Sequence, residues 1–151
     1  ITEKIWDRVF DVNWKSMAFI SKYAVSGMEN NGGGSIINIS SVDGRRAGFS
    51  KNIPYAAAKG GIISATRAMA VHHGRQNIRV NCVALSLTNS KIAQPILKNT
   101  ALAQGIAKAH PLKRIGEGKD GAAIAKFLLT EESSWITGQV IAVDGGRSKL
   151  S

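Results

Sequence analysis

Apolar positions in the first part of the chain recur every three to five residues. They are Ile5, Val9, Val12, Met17, Ile20, Ala24 and Met28. This spacing places them on one face of a helix. It predicts a long amphipathic helix that ends before Gly32, and the triplet Gly32-Gly33-Gly34 predicts the helix stop and the turn that follows.

Three short apolar runs have the pattern of buried strands. They cover residues 36–39, 80–85 and 140–143. Runs that are apolar at almost every position are typical of parallel strands covered on both faces. Helical patterns separate these runs, so we expect right-handed crossovers and an α/β fold with a parallel sheet and flanking helices. Residues 1–151 are expected to form a single domain.

Two further helices and one loop complete the pattern. Pro54 suits the first turn of a helix rich in small residues that runs to about Gly74. Residues 120–129 predict another helix. Residues 88–111 are expected to be irregular or weakly helical and to form a lid or substrate loop.

Composition limits the class of protein. With 151 residues, 44% of them hydrophobic, the chain can bury a core of its own. It contains no apolar run near the ~20 residues that cross a bilayer, and its start lacks the apolar region of a signal peptide. The single cysteine, Cys82, excludes a disulfide framework. We expect Cys82 to be a core residue and the protein to be cytoplasmic.

The net charge of +10 raises the question of nucleic-acid binding. The basic residues are scattered, and aromatic residues make up only 6%, so no stacking platform is visible. The densest basic group is Arg45, Arg46 and Lys51. It fits a solvated loop, or a basic rim that would suit an acidic substrate or cofactor phosphates. We expect no nucleic-acid or membrane partner; a basic nucleic-acid-binding module is an alternative supported by charge alone.

Candidate chemistry is concentrated between the first strand and the helix at Pro54. The strand ends in Ser40-Ser41, and the helix begins with Tyr55 and Lys59, four residues apart. Residues at this spacing share a helix face, so the ammonium can lie beneath the phenol. A nearby positive charge favours the phenolate, which predicts a lowered pKa for Tyr55. Such a group can move a proton on and off an alcohol or carbonyl oxygen.

Taken together, the motifs of this chain resemble the short-chain dehydrogenase/reductase family from Ile5 to about Arg147. The pieces that carry the resemblance are the helix from Trp6 to Asn13, NISS at 38–41, YAAAK at 55–59, NIRVN at 77–81 and TGQVIAVDGG at 137–146. The resemblance implies a partial Rossmann-like parallel sheet containing the last three strands. It also implies NAD(P)-dependent hydride transfer between a secondary alcohol and a ketone or aldehyde.

The resemblance also implies residue roles. Tyr55 is the general acid/base, Lys59 supports it and holds the nicotinamide ribose, and Ser41 orients the substrate oxygen. Asn13 corresponds to the asparagine that breaks its helix and helps water pass protons to the lysine. Without the other motifs, Asn13 would read as an ordinary polar residue within a helix. Ser40 is expected to be structural.

The cofactor is expected to be NAD or NADP, and the residues that the resemblance assigns to its binding are Ile39, Tyr55, Lys59, Leu85, Ser86, Thr88 and Ser90. The family usually has Pro-Gly where this chain has Leu85-Ser86. These replacements are less suited to a tight turn, so we expect a reshaped nicotinamide pocket.

No glycine-rich strand-to-helix turn for a pyrophosphate is present, because Gly32-Gly33-Gly34 lies between a helix and a strand. Against the family pattern, roughly the first hundred residues are absent. We therefore expect the catalytic half of an oxidoreductase that is inactive in isolation. The alternative is a non-catalytic remnant or oligomerisation module. The family's helix pairing implies a homodimer or homotetramer.

No metal site is expected. The adjacent His72 and His73 would point about 100° apart on a helix, which suits a metal poorly. The three tryptophans, Trp6, Trp14 and Trp135, are expected in the core or at an interface.

Overall fold

The structure is a computed structural model, and it describes residues 1–46 and 52–149. Its centre is a parallel sheet with strand order β1-β2-β3. The strands are β1 (Gly34–Ser41), β2 (Ile78–Leu85) and β3 (Val140–Val143). The predicted α/β class and all three strands are confirmed; β1 and β2 extend beyond their predicted bounds.

The register brings the carboxyl ends of the strands to one edge of the sheet. Ser41 is paired with Leu85, and Leu85 is paired with Val143. The residues that follow each strand therefore emerge side by side. Ligands of open parallel α/β sheets bind at this edge.

The predicted amino-terminal helix is present, with an interruption. It consists of α1 (Glu3–Phe10), a π-helical turn (Asp11–Lys15) and α2 (Ser16–Asn30). The Asn13 side chain lies in the π turn and donates to the Val9 carbonyl at 2.9 Å. Gly32 closes α2 with a φ of 81°, as the glycine triplet predicts.

The helix α3 (Ile53–His73) begins and ends where the sequence indicates. Asn52 caps it by accepting from the Tyr55 backbone N–H at 3.3 Å, and Gly74 follows its last residue. It packs on β2 together with α2. The two core clusters on this face are Ile62, Ile63 and Cys82 with Trp14, Met17 and Val140, and Val25, Ala70, Ile78 and Val80 with Met28, Ile36 and Met69. The prediction that Cys82 is a core residue is confirmed.

The helix α6 (Gly118–Leu129) covers the opposite face of the sheet. Successive strand residues point to opposite faces, and Ser35 and Arg79 alternate with the core residues Ile36 and Val80. Both side chains donate to the Leu128 carbonyl, at 2.8 and 2.9 Å. The sheet therefore lies between two helical layers.

Two expectations need correction. Residues 88–111 are more helical than predicted, because they contain α4 (Gln94–Leu97) and α5 (Thr100–Lys108). Ile39 is 45% exposed, so β1 is not covered on both faces in the described part of the chain. Of the two settings expected for the tryptophans, Trp14 packs against a core cluster, and for Trp135, which is 99% exposed, only the interface stays a prediction.

Within residues 1–46 and 52–149, no helix combines the length and the apolar character needed to span a membrane.

Candidate active site

The end of β1 and the second turn of α3 are joined by two hydrogen bonds. The Ser40 hydroxyl donates to the Lys59 carbonyl at 2.8 Å. In the other direction, Lys59 Nζ donates to the Ile39 carbonyl at 3.0 Å. Ser40 thus has the structural contact that the sequence analysis expects. These bonds fix α3 relative to the strand end that carries Ser41.

A close backbone approach reinforces this junction. The short turn after β1 (Val42–Gly44) lies directly against α3. A Cβ atom added at Gly44 would lie 2.6 Å from the Lys59 carbonyl carbon and 2.8 Å from the Gly60 nitrogen. Only glycine fits at this distance, so the turn can pack against the helix backbone itself.

Ser41 and Tyr55 are brought into contact, as the sequence predicts. The Ser41 hydroxyl lies beside the Tyr55 phenol and lowers its pKa as a hydrogen-bonding neighbour. Its oxygen also accepts from the Asp43 backbone N–H at 3.2 Å, which orients the hydroxyl. A serine and a phenol that meet in this way can both contact one substrate oxygen.

The predicted lowering of the Tyr55 pKa is wrong for this structure. Burial of the phenol raises its pKa above the ordinary 10.0; the Ser41 hydrogen bond lowers it, and the Asp43 carboxylate raises it further. Removing the phenolate from water outweighs the favourable contact. Tyr55 is therefore held as the protonated phenol.

Lys59 lies beneath the phenol ring, as its spacing predicts. Its Nζ is 5.6 Å from the centre of the Tyr55 ring. Burial lowers the pKa of Lys59. The ammonium is directed to the Ile39 carbonyl rather than to the phenol oxygen, which explains why the expected effect on Tyr55 is not seen.

Asn13 occupies the π-helical turn between α1 and α2. This turn is the helix break that the resemblance implies for Asn13. The neighbouring Trp14 packs closely on α3, where a Cβ at Gly61 would lie 2.7 Å from its Nε1. Asn13 therefore lies on a segment that contacts the tyrosine helix, although its own side chain bonds Val9.

The candidate cofactor residues fall into two groups. Leu85, Ser86 and Thr88 line a cavity of about 710 Å³ at the carboxyl ends of β2 and β3. Ile39, Tyr55 and Lys59 belong to the junction described above. Ser90 is exposed and lies outside the cavity lining.

His110 is among the residues of this cavity that sequence reasoning did not identify. It is 2% exposed, and its ring contacts the Ser86 hydroxyl. The unusual Ser86 signals a changed pocket, but nothing in the sequence pairs it with a histidine 24 positions away. The cavity also borders Asp144, which accepts from the backbone N–H groups of Gly146 and Ser148.

The basic residues near the site have structural contacts. Arg46 donates to the Arg147 carbonyl at 3.1 Å, and Arg147 donates to the Ala109 carbonyl at 2.7 Å. Lys51, the third member of the basic group, lies outside the described residues.

The polar groups present fit the nicotinamide end of a dinucleotide. Hydroxyl groups of Ser86 and Thr88 line a cavity at the edge where parallel sheets bind ligands. The Lys59 ammonium and the Tyr55 phenol lie at the end of the neighbouring strand. For metals, the described part of the chain has no cluster of three or more His, Cys, Asp or Glu side chains that could hold an ion.

Comparison with known proteins gives consistent matches over the whole chain. A family model described as enoyl-(acyl carrier protein) reductase matches residues 1–148. Dehydrogenase/reductase SDR family member 4 of Oryctolagus cuniculus is 34% identical over 146 residues, covering 97% of this chain and 56% of that protein. An uncharacterized short-chain type dehydrogenase/reductase of Sinorhizobium fredii is 38% identical over 147 residues, covering 97% and 58%.

Solved structures match in fold. The 3-oxoacyl-[acyl-carrier protein] reductase of Brucella melitensis has a TM-score of 0.93 at 30% identity, covering 100% of this chain and 55% of that one. Gluconate 5-dehydrogenase of Burkholderia cenocepacia, solved with NADP and tartrate, has a TM-score of 0.95 at 26% identity, covering 100% and 59%. The chain thus spans about half the length of the proteins it matches.

The raised pKa of Tyr55 can be measured directly. A difference titration of the tyrosinate absorbance, between the cofactor-free full-length protein that includes this chain and its Tyr55→Phe variant, isolates this phenol. We expect a midpoint above 10.0, because burial disfavours the phenolate. A Tyr23→Phe variant is the control, since Tyr23 is 73% exposed. A midpoint below 10.0 would contradict the burial argument.

Proposed function

The chain belongs to the short-chain dehydrogenase/reductase family, and from that premise we propose that it carries the catalytic residues of an NAD(P)-dependent oxidoreductase. The reaction is reversible hydride transfer between a nicotinamide cofactor and a secondary alcohol or its ketone, or an aldehyde. The observation that carries this proposal is the contact of the Tyr55 phenol with Ser41, above the ammonium of Lys59.

Tyr55 is the proton donor in carbonyl reduction. Its raised pKa keeps the phenol protonated at neutral pH. The phenol O–H bond breaks and an O–H bond forms on the substrate oxygen, while Ser41 holds that oxygen by a hydrogen bond. In the oxidation direction Tyr55 must first be deprotonated, and its phenolate then takes the proton from the alcohol. A nicotinamide cofactor, when bound, supplies or accepts the hydride.

Lys59 lies beneath the phenol ring, where its ammonium is held by the Ile39 carbonyl. Following the family resemblance, it also holds the ribose of the cofactor, and Asn13 assists proton return through water. We propose that the cofactor also contacts Ile39, Leu85, Ser86, Thr88 and Ser90. The proposed cofactor is NAD or NADP.

We favour carbonyl reduction over double-bond reduction. The matching family model is described as an enoyl reductase. Enoyl-reductase relatives, however, space the tyrosine and lysine further apart than the four positions between Tyr55 and Lys59. A panel of ketones assayed beside an enoyl thioester separates the two reactions.

The alternative is a non-catalytic remnant or oligomerisation module. The chain spans 56% and 58% of the length of the two relatives compared by sequence. In the described part of the chain, β1 lies at the edge of the sheet with Ile39 exposed. A complete family sheet would continue beyond β1 and supply the pyrophosphate site. Turnover by the full-length protein that includes this chain decides between the alternatives.

The first prediction concerns the proton donor in that full-length protein. Tyr55→Phe removes only the ionisable oxygen, so turnover should fall by a factor on the order of a hundred to ten thousand. Its thermal unfolding should be unchanged. Lys59→Ala should lower both the turnover rate and the cofactor affinity. Tyr23→Phe makes the same chemical change at an exposed site and should remain active.

A Tyr55→Phe variant that keeps most of its activity, while Tyr23→Phe behaves as the parent, would exclude Tyr55 as the acid.

The second prediction concerns the 151-residue chain by itself. We expect neither tight binding nor turnover of NADH or NADPH, because no glycine-rich turn for the pyrophosphate occurs in this sequence. The exposed edge of β1 should also promote association. Calorimetric titration with each cofactor tests this expectation. Micromolar binding of either one would show that the chain contains a more complete cofactor site.

The third prediction concerns assembly, which we propose to be a homodimer or homotetramer. Supporting observations are large exposed apolar side chains on α1, the π turn and α2: Ile5, Trp6, Val12, Phe19 and Ile20. Isologous packing of such a face would cover it. In sedimentation of the full-length protein, Ile20→Glu should shift the oligomer towards monomer. Ile92→Glu, at an equally apolar and 91% exposed position, should not.

A monodisperse monomer at micromolar concentration would rule this assembly out. A small-molecule substrate, the absence of a nucleic-acid partner and a cytoplasmic setting stay predictions.

A further inference from the structure

His110 lies at the wall of the 710 Å³ cavity, and both nitrogens of its ring are hydrogen-bonded. Nδ1 is 2.7 Å from the Ile106 carbonyl oxygen. Nε2 is 2.7 Å from the Ser86 hydroxyl oxygen. The side chain is only 2% exposed, so the ring is held in one orientation between α5 and the end of β2.

These contacts determine where the hydrogens lie. The Ile106 carbonyl can only accept, so the ring carries a hydrogen on Nδ1. In the neutral imidazole, Nε2 then has only a lone pair, and the Ser86 hydroxyl must donate its single hydrogen to it. Ser86 is left with acceptor lone pairs on the cavity wall.

The Thr88 hydroxyl, like that of Ser86, is left with acceptor lone pairs only. It donates to the Ser86 carbonyl at 3.0 Å, so its oxygen too can only accept from a further group. Both hydroxyls that line the cavity therefore act as acceptors. A ligand group that matches this wall carries N–H donors, and a primary amide has two of them.

We propose that His110 is a positioning residue that fixes the Ser86 hydroxyl as a hydrogen-bond acceptor for the carboxamide N–H of the nicotinamide. This inference rests on the proposed function, because the cofactor is the ligand. It gives a role to the departure of Ser86 from the family's usual glycine: the side chain adds a contact that glycine cannot make.

A serine within hydrogen-bond distance of a histidine is also the arrangement of a nucleophile and its base. That reading fits less well here. When a serine gives up its proton to histidine, the imidazolium is normally stabilised by a carboxylate on Nδ1. His110 has the neutral Ile106 carbonyl in this place. Covalent labelling of Ser86 by a fluorophosphonate would overturn the acceptor role in favour of the nucleophile.

The binding test uses the full-length protein that includes this chain and two oxidised cofactors. One is the natural dinucleotide, and the other is its 3-acetylpyridine analogue, in which a methyl group replaces the amide nitrogen and its hydrogens. Dissociation constants come from calorimetry. We expect the parent protein to prefer the carboxamide by about tenfold, the value of one hydrogen bond. Ser86→Ala and Ser86→Gly should remove most of this preference.

His110→Phe keeps a ring of similar size but releases the Ser86 hydroxyl, so it should also reduce the preference. If His110 acts only through Ser86, the double variant should show no further loss beyond Ser86→Ala. Ser134→Ala, an exposed serine outside the cavity, is the control and should keep the parent preference. If His110→Phe does not fold, the two Ser86 variants decide the result.

A second measurement needs no cofactor. Nitrogen-15 NMR of the His110 ring should show a protonated Nδ1 and an unprotonated Nε2. The opposite tautomer would overturn the inference. So would an unchanged carboxamide preference in Ser86→Ala, and this result would leave the proposed function standing. A parent protein that binds neither cofactor would overturn both the proposed function and the role of His110.

Discussion

The candidate site depends on the contact between α3 and the carboxyl end of β1. Two hydrogen bonds cross this contact in opposite directions, from Ser40 to the Lys59 carbonyl and from Lys59 to the Ile39 carbonyl. Gly44 allows the backbone of the following turn to lie against the same helical turn. Because Tyr55 lies one turn before Lys59, fixing Lys59 also fixes the phenol beside Ser41. The acid, its support and the group that holds the substrate oxygen are thus placed by one junction.

A second set of polar groups lies where β2 and β3 end. The parallel register places it at the same edge of the sheet as the junction. The two sets differ in hydrogen-bonding character. The junction offers a protonated phenol and an ammonium, whereas the hydroxyls of Ser86 and Thr88 have given their hydrogens to His110 and to a backbone carbonyl. This separation suits a reaction in which one side handles a proton and the other holds a carrier of hydride.

The sequence predicts the fold well because its signals are local. Apolar runs place the three strands, and Pro54 and Gly74 mark the ends of α3. The grouping of Ser41, Tyr55 and Lys59 also follows, since helix spacing and strand ends determine it. The Tyr55 pKa does not follow, because burial depends on neighbours from several elements. The pairing of His110 with Ser86 joins residues that only the tertiary fold brings together, and the exposure of Ile39 and Trp135 depends on which surfaces are covered.

The central claim is that the Tyr55 site supports hydride transfer to a carbonyl carbon. The most direct test supplies the full-length protein that includes this chain with a ketone and with reduced cofactor carrying deuterium at the transferable position of nicotinamide C4. Mass spectrometry and NMR then locate the label. We expect deuterium on the carbinol carbon of the alcohol and a solvent-derived hydrogen on its oxygen. An alcohol whose carbinol hydrogen comes from solvent, or no reduction across a broad ketone panel, would contradict this account.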